Sequence, residues 1–131
     1  MSRENVEVVR RSFEAWQRDD LETWLSCQDP AIEWDVAVRQ VEGAGSVYRG
    51  VEGTREGWAA FRDFQVELRE LRDVDEQRVL VLGDVHYRGP ASGIELESPL
   101  AEIFTVRDGK IVQIVDYFTY EEALEAVGLR E

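Results

Sequence analysis

Apolar residues recur at spacings of three and four early in the chain and at spacings of two over most of its second half, so the sequence predicts helices first and strands afterwards. Val6, Val9, Phe13 and Trp16 draw the stripe of an amphipathic helix over about residues 3–17, with Ser2 as its cap. Asp19 and Asp20 end it and cap a second helix, in which Leu21, Trp24 and Leu25 share a side until Asp29 and Pro30 stop it. Residues 31–36 alternate as a short strand, and Glu42-Gly43-Ala44-Gly45-Ser46 predicts a flexible excursion into Val47-Tyr48-Arg49-Gly50. A third helix, about residues 51–64, presents Trp58 and Phe61 on one side and is weakened by Gly53 and Gly57. Residues 66–74, 78–88 and 94–106 then read as successive antiparallel strands, joined by Asp75-Glu76-Gln77 and by Gly89-Pro90-Ala91-Ser92-Gly93, with 110–118 as the last strand. Thr119 and Glu122 have capping-box spacing at the head of a terminal helix through Ala123, Leu124 and Val127, which Gly128 ends.

The last two strands form the most informative unit, because Asp108-Gly109 between two β-branched runs is a strong hairpin signal. A type I turn at Arg107-Asp108 with Gly109 as a left-handed bulge sets Val106 opposite Lys110, Glu102 opposite Ile114 and Asp116 opposite Leu100. Glu102 and Asp116 then share a face with Phe104, Val106, Val112, Ile114 and Phe118, since side chains alternate along a strand. A two-residue turn without the bulge would send the two acids to opposite faces. Helices followed by a meander within one chain define an α+β domain, with helices packed on one face of a curved antiparallel sheet and a hollow between them. Pro99 removes a ladder donor and marks an edge, bulge or bend of that sheet.

Composition narrows the picture. The 131 residues make one domain, and 44% hydrophobic content is ample for a core. Fifteen basic against 28 acidic residues give a formal charge of −13, which repels phosphate backbones and anionic lipid, so neither nucleic acid nor a membrane surface is an expected partner. No stretch is long and apolar enough to span a membrane and no signal core opens the chain, so a cytoplasmic location is expected. Cys27 stands alone, which excludes an internal disulfide, and one cysteine with one histidine cannot build the usual zinc site. No metal and no cofactor is expected.

The candidate chemistry lies in the acids. Two carboxylates in an apolar hollow repel each other and are penalised by burial, so one of Glu102 and Asp116 keeps its proton near neutral pH, leaving one acid and one base. The bland reading puts them on the solvent side, or neutralises each with an arginine such as Arg88. Asp84, His86 and Arg88 share a side with Leu80 and Leu82; on the concave side His86 would shuttle protons near Glu102, and on the convex side it would belong to a solvated row or a dimer surface. Asp35 is an auxiliary candidate. Trp16, Trp34, Tyr48, Trp58, Phe61, Phe104 and Phe118 are core residues by default, and as a set they also suit a pocket for a flat apolar ligand. Cys27, beside Asp29 and far from the histidine in sequence, is a poor nucleophile.

This element order, with Asp29-Pro30-Ala31-Ile32-Glu33-Trp34, Tyr48-Arg49-Gly50 and Phe104-Thr105-Val106-Arg107-Asp108-Gly109-Lys110-Ile111-Val112, resembles a SnoaL-like domain of the nuclear transport factor 2-like superfamily. The resemblance covers nearly the whole chain. It implies a cone-shaped, cystatin-like fold: three N-terminal helices closed by a strongly curved sheet, a ligand pocket at the wide end and frequently a homodimer. The superfamily includes ketosteroid isomerases, polyketide cyclases, dehydratases and epoxide hydrolases, so the likeness is specific for fold and weak for function. Asp116 matches the acid that ends the His-Trp-Asp pattern of SnoaL-type cyclases, where it transfers the proton for an aldol closure. Glu102 stands where those cyclases tend to carry histidine. Asp35 resembles the general-base position of ketosteroid isomerases, and Trp16 replaces the tyrosine expected on the first helix. Together these lead to a cofactor-independent acid/base enzyme, an isomerase, cyclase or hydrolase, acting on a small hydrophobic carbonyl or cyclic substrate. Asp116 and Glu102 would be catalytic, Asp35 and His86 auxiliary, and Trp16, Trp34, Tyr48, Phe61, Phe104 and Phe118 would bind substrate. The alternatives are a noncatalytic binder of an apolar small molecule and a dimerising scaffold with a filled cone.

Overall fold

The computed structural model describes residues 2–36, 46–88, 93 and 95–129, apart from the side chains of Ser2 and Arg88. The segments expected as connectors at 42–45 and 89–92 lie outside the described residues, as does any neutralising role for the Arg88 side chain. The first helix, α1 (Ser2–Gln17), buries Val8, Val9, Phe13 and Trp16. Asn5, at its start, donates to the Glu76 carbonyl at 2.7 Å and ties it to the far end of the sheet. Asp19 adopts φ 60, and Asp20 then caps α2 (Leu21–Ser26), accepting from Thr23 N at 3.2 Å and from its hydroxyl at 2.7 Å.

Strand β1 (Gln28–Asp35) starts earlier than alternation alone suggests, running through Pro30 where its pairing is irregular. After β2 (Val47–Arg49) comes α3 (Gly50–Ala60), which stops short of Phe64, the first residue of β3 (Phe64–Asp73). Then follow β4 (Arg78–Arg88), β5 (Glu95–Arg107), β6 (Lys110–Tyr117) and α4 (Tyr120–Ala126). Thr119 caps α4, accepting from Glu122 N at 3.1 Å.

The six strands form one sheet in the order β2-β1-β6-β5-β4-β3. It is mixed rather than wholly antiparallel, because β1 runs parallel to β6. Helices α1, α2 and α3 cover one face, over a core that includes Val79, Val81, Val85, Phe104 and Ile114. The other face is not bare: Leu80, Leu82, Ala101 and Ile103 pack against Ala123 and Leu124 of α4, so the terminal helix departs from the one-sided arrangement.

The β5–β6 hairpin differs from its expected geometry in an informative way. Asp108 (φ 50) and Gly109 (φ 75) both adopt left-handed backbone, the mark of a two-residue turn, and Arg107 pairs with Lys110. Alone, that turn would put Glu102 and Asp116 on opposite faces. The register shifts, however, between Val106↔Ile111 and Thr105↔Gln113, so Val112 is an extra residue bulged out of the ladder. Glu102 therefore stands directly opposite Asp116, not Ile114, and Phe104 faces Ile114. The shared face survives, but Ile111 takes the buried place expected for Val112.

Gly57 lets α3 approach the sheet. A Cβ there would lie 2.6 Å from Trp34 Cζ3 and 2.9 Å from Cε3, within a ring that packed neighbours hold in place. Gly57→Ala is expected to destabilise the fold by about 1–3 kcal/mol through overpacking, read as a lower urea midpoint at unchanged slope; an unchanged midpoint would show that the indole moves freely.

Candidate functional site

The acid pair is positioned by alternation and by the bulge. On β5 the inward residues are Leu100, Glu102 and Phe104; on β6 they are Ile114 and Asp116. Glu102 and Asp116 are only 5% and 4% exposed. Directly opposed strand residues have Cβ atoms about 4.5–5.5 Å apart, so the two side chains are immediate neighbours across the ladder. Both line a cavity of about 60 Å³ between the sheet and the helices.

Apart from Ser12, the rest of that wall is aromatic and aliphatic. Phe13 meets Phe104 at 5.5 Å between ring centres. Trp16, Trp24 and Trp34 form a continuous edge-to-face set, with Trp16–Trp24 at 5.7 Å and Trp24–Trp34 at 5.8 Å. Trp58 backs them, 5.0 Å from both Trp16 and Trp24. Such pairs add about 0.5–1.5 kcal/mol each beyond area burial. Arg62 clamps the cluster: its guanidinium lies 4.3 Å from the Trp16 ring centre and 4.0 Å from that of Trp58, and it donates to the Trp16 carbonyl at 2.7 Å. Burial pulls its pKa below the ordinary arginine value, partly offset by Asp19 and Asp63.

Of the aromatic residues expected to shape a pocket, Trp16, Trp34, Phe61 and Phe104 line the cavity. Tyr48 is buried behind them, against Trp34 and Phe61. Phe118 corrects the expectation: it lies beyond the end of β6 and is 59% exposed. Asp35 also falls outside the cavity, because alternation along β1 turns Trp34 inward and Asp35 to the opposite face. There it helps, after burial, to raise the Tyr117 phenol pKa. His86 is on that outer face too, on the same side of β4 as Leu80 and Leu82, with Nδ1 3.0 Å from Glu97 Oε1 and its side chain 41% exposed. Neighbouring Asp84 pairs with Arg69. The proton-shuttle reading of His86 is thereby overturned. Among the described residues no three metal-ligating side chains gather.

Ser12, Trp24 and Phe64 belong to the wall although sequence reasoning did not select them. Trp24 was visible as a core position, and Ser12 carried a sharper signal, a polar residue inside the apolar stripe between Val9 and Trp16.

A helix-roofed, strongly curved sheet with this strand order is the α+β cone of nuclear transport factor 2-like domains. The chain belongs to the SnoaL-like domain family, whose pattern matches residues 9–114. Three solved structures show the fold at low sequence identity. TerC, co-crystallised with polyporic acid, has a TM-score of 0.78 at 24% identity, covering 95% of this chain and 98% of its own. A polyketide cyclase assigned as putative, from Xanthomonas campestris pv. campestris, has a TM-score of 0.70 at 20% identity, covering 97% and 98%. RV0760c from Mycobacterium tuberculosis, in complex with estradiol-17beta-hemisuccinate, has a TM-score of 0.76 at 16% identity, covering 88% and 94%. No curated protein matches the chain in sequence.

Cys27 is buried at the end of α2, its Sγ 3.4 Å from the Thr23 carbonyl, and burial pushes its thiol pKa up. A raised folded-state value favours the neutral thiol, so its stabilising contribution is complete below the unfolded thiol pKa of about 8.5 and fades as pH rises above it. Iodoacetamide at pH 8 should therefore leave the native protein unmodified over minutes and label it rapidly in urea; fast native labelling would contradict the burial.

Proposed function

We propose that this domain is a cofactor-independent acid/base enzyme that moves a proton on a small hydrophobic carbonyl or cyclic substrate. The observation that carries the reading is Glu102 directly opposite Asp116 in the wall of a largely apolar cavity. Burial penalises each charged form and the neighbouring charge penalises the second ionisation, so the pair holds one proton between them near neutral pH. Asp116, as carboxylate, accepts a proton from carbon next to a carbonyl; Glu102, holding the shared proton, returns it where the product needs it. Isomerisation and ring closure both use that pair of steps, and hydrolysis would use the same base on a water.

The volume limits the ligand. About 60 Å³ is well below the roughly 300–1,000 Å³ of ordinary ligand pockets, so the substrate is of small-ring size or displaces the tryptophans. The ligand complexes of TerC and RV0760c support an organic ligand within a cone of this type. The working form we propose is a homodimer, on the strength of the family resemblance. A second reading, a noncatalytic binder, is favoured by the largely apolar wall; there the acids would only orient the ligand.

Exchange of the α-protons of cyclopentanone in D2O, followed by proton NMR, separates the two readings. The wild type should accelerate exchange over buffer, and Asp116→Asn should lose at least about a hundredfold of that acceleration with an unchanged circular dichroism spectrum. No acceleration, or equal acceleration by Asp116→Asn, would remove Asp116 as base.

A further inference from the structure

Proton abstraction beside a carbonyl puts negative charge on the carbonyl oxygen, and the Glu102 proton is the one returned to the substrate, so that oxygen calls for a donor of its own. The wall supplies two candidate donors. The indole N–H of Trp34 is buried, and no described residue accepts its hydrogen bond. Trp34 itself is only 7% exposed and lines the cavity. By contrast, the Trp16 indole donates to the Phe64 carbonyl at 3.1 Å, so the deficit belongs to Trp34 and not to tryptophans in general. Leaving a buried donor unmatched is unfavourable enough to need a reason.

Covalent geometry shows which way that donor faces. The Cε3–Cζ3 edge of the Trp34 indole lies against Gly57. Nε1 is on the opposite edge of the ring, so the N–H is turned away from α3. Trp34 also sits beside Ile114 in the β1–β6 pairing, and Asp116 is the next inward residue along β6. From the helical side, Ser12 is 3% exposed and has the only hydroxyl among the described residues of the wall. Serine inside an apolar helical stripe is unfavourable for both helix propensity and burial.

We propose that Ser12 and Trp34 bind the substrate oxygen, their O–H and N–H donating to a carbonyl that Asp116 deprotonates at the neighbouring carbon. The assignment rests on the acid/base reading of the Glu102–Asp116 site and adds the group that holds the developing oxyanion. It also makes the site selective: a ligand with an acceptor oxygen satisfies the Trp34 donor, and a hydrocarbon of the same shape leaves it unmatched.

Two isosteric probes test this, cyclopentanone and methylenecyclopentane, titrated into the protein carrying ¹⁵N-labelled tryptophan. The Trp34 indole resonance, assigned with Trp34→Phe, should move downfield with the ketone and not with the alkene. Ser12→Ala and Trp34→Phe should each weaken the ketone about fivefold or more, the factor that one net hydrogen bond is worth, and leave the alkene within about twofold. An unmoved Trp34 resonance at saturating ketone, or equal losses for both probes, overturns the assignment. Should Trp34→Phe fail to fold, the wild-type resonance and Ser12→Ala still decide. The two proposals also fail separately. Exchange that needs Asp116 but is indifferent to Ser12→Ala and Trp34→Phe spares the acid pair and removes the donors. A shifted Trp34 resonance without catalysed exchange spares the donors as a binding site and removes the acid/base reading. If neither probe perturbs any residue of the cavity, both fall.

Discussion

A single bulged residue, Val112, sets the parity on which the site depends. The two-residue turn at Asp108-Gly109 and the alternation of strand side chains would together leave Glu102 and Asp116 on opposite sides of the sheet. One extra residue between Ile111 and Gln113 reverses that, and brings the acids level across the β5–β6 ladder. The same slip gives Ile111 a place in the core and leaves Val112 half-buried. Chemistry and packing thus share one cause, and deleting or doubling that residue would disturb both at once.

The two buried carboxyl groups lie under a tightly packed aromatic roof. Four tryptophans interlock above the sheet, Arg62 closes them from outside by two cation–π contacts, and Trp16 is further held through its own N–H. Gly57 brings α3 close enough for Trp34 to complete the set. Packing of this density gives the acids a largely apolar surrounding, which strengthens electrostatic interactions between them and with whatever enters. It also explains why so little open volume remains inside a cone of this size.

Much of this was legible in the chain. The stripes of α1 and α2, the turn at Asp75-Glu76-Gln77, the hairpin at Asp108-Gly109 and the capping box of Thr119 all came from local patterns with a physical cause, and each element formed within a few residues of its expected limits. The family resemblance rested on those same elements. What could not be read locally was long-range: the parallel pairing of β1 with β6, the packing of α4 on the outer face, and the bulge at Val112, which only the competition between turn and core decides. The site followed the same division. Glu102 and Asp116 were found by alternation. Asp35 is a candidate through the family resemblance and His86 through a strand whose inward face alternation leaves open; both belong outside, and Phe118 lies past the end of its strand. Ser12 was passed over because a serine in an apolar stripe reads as noise until the cavity beneath it is known.

Glu102 and Asp116 sharing one proton in the cavity wall is the central claim of the proposed function. Carboxylate ¹³C NMR across pH about 3 to 9, with resonances assigned by Glu102→Gln and Asp116→Asn, measures this directly. One carboxyl should titrate near the ordinary value of about 4 and the other well above it, each moving when its neighbour is replaced. Two independent titrations, both near the ordinary value, would contradict it.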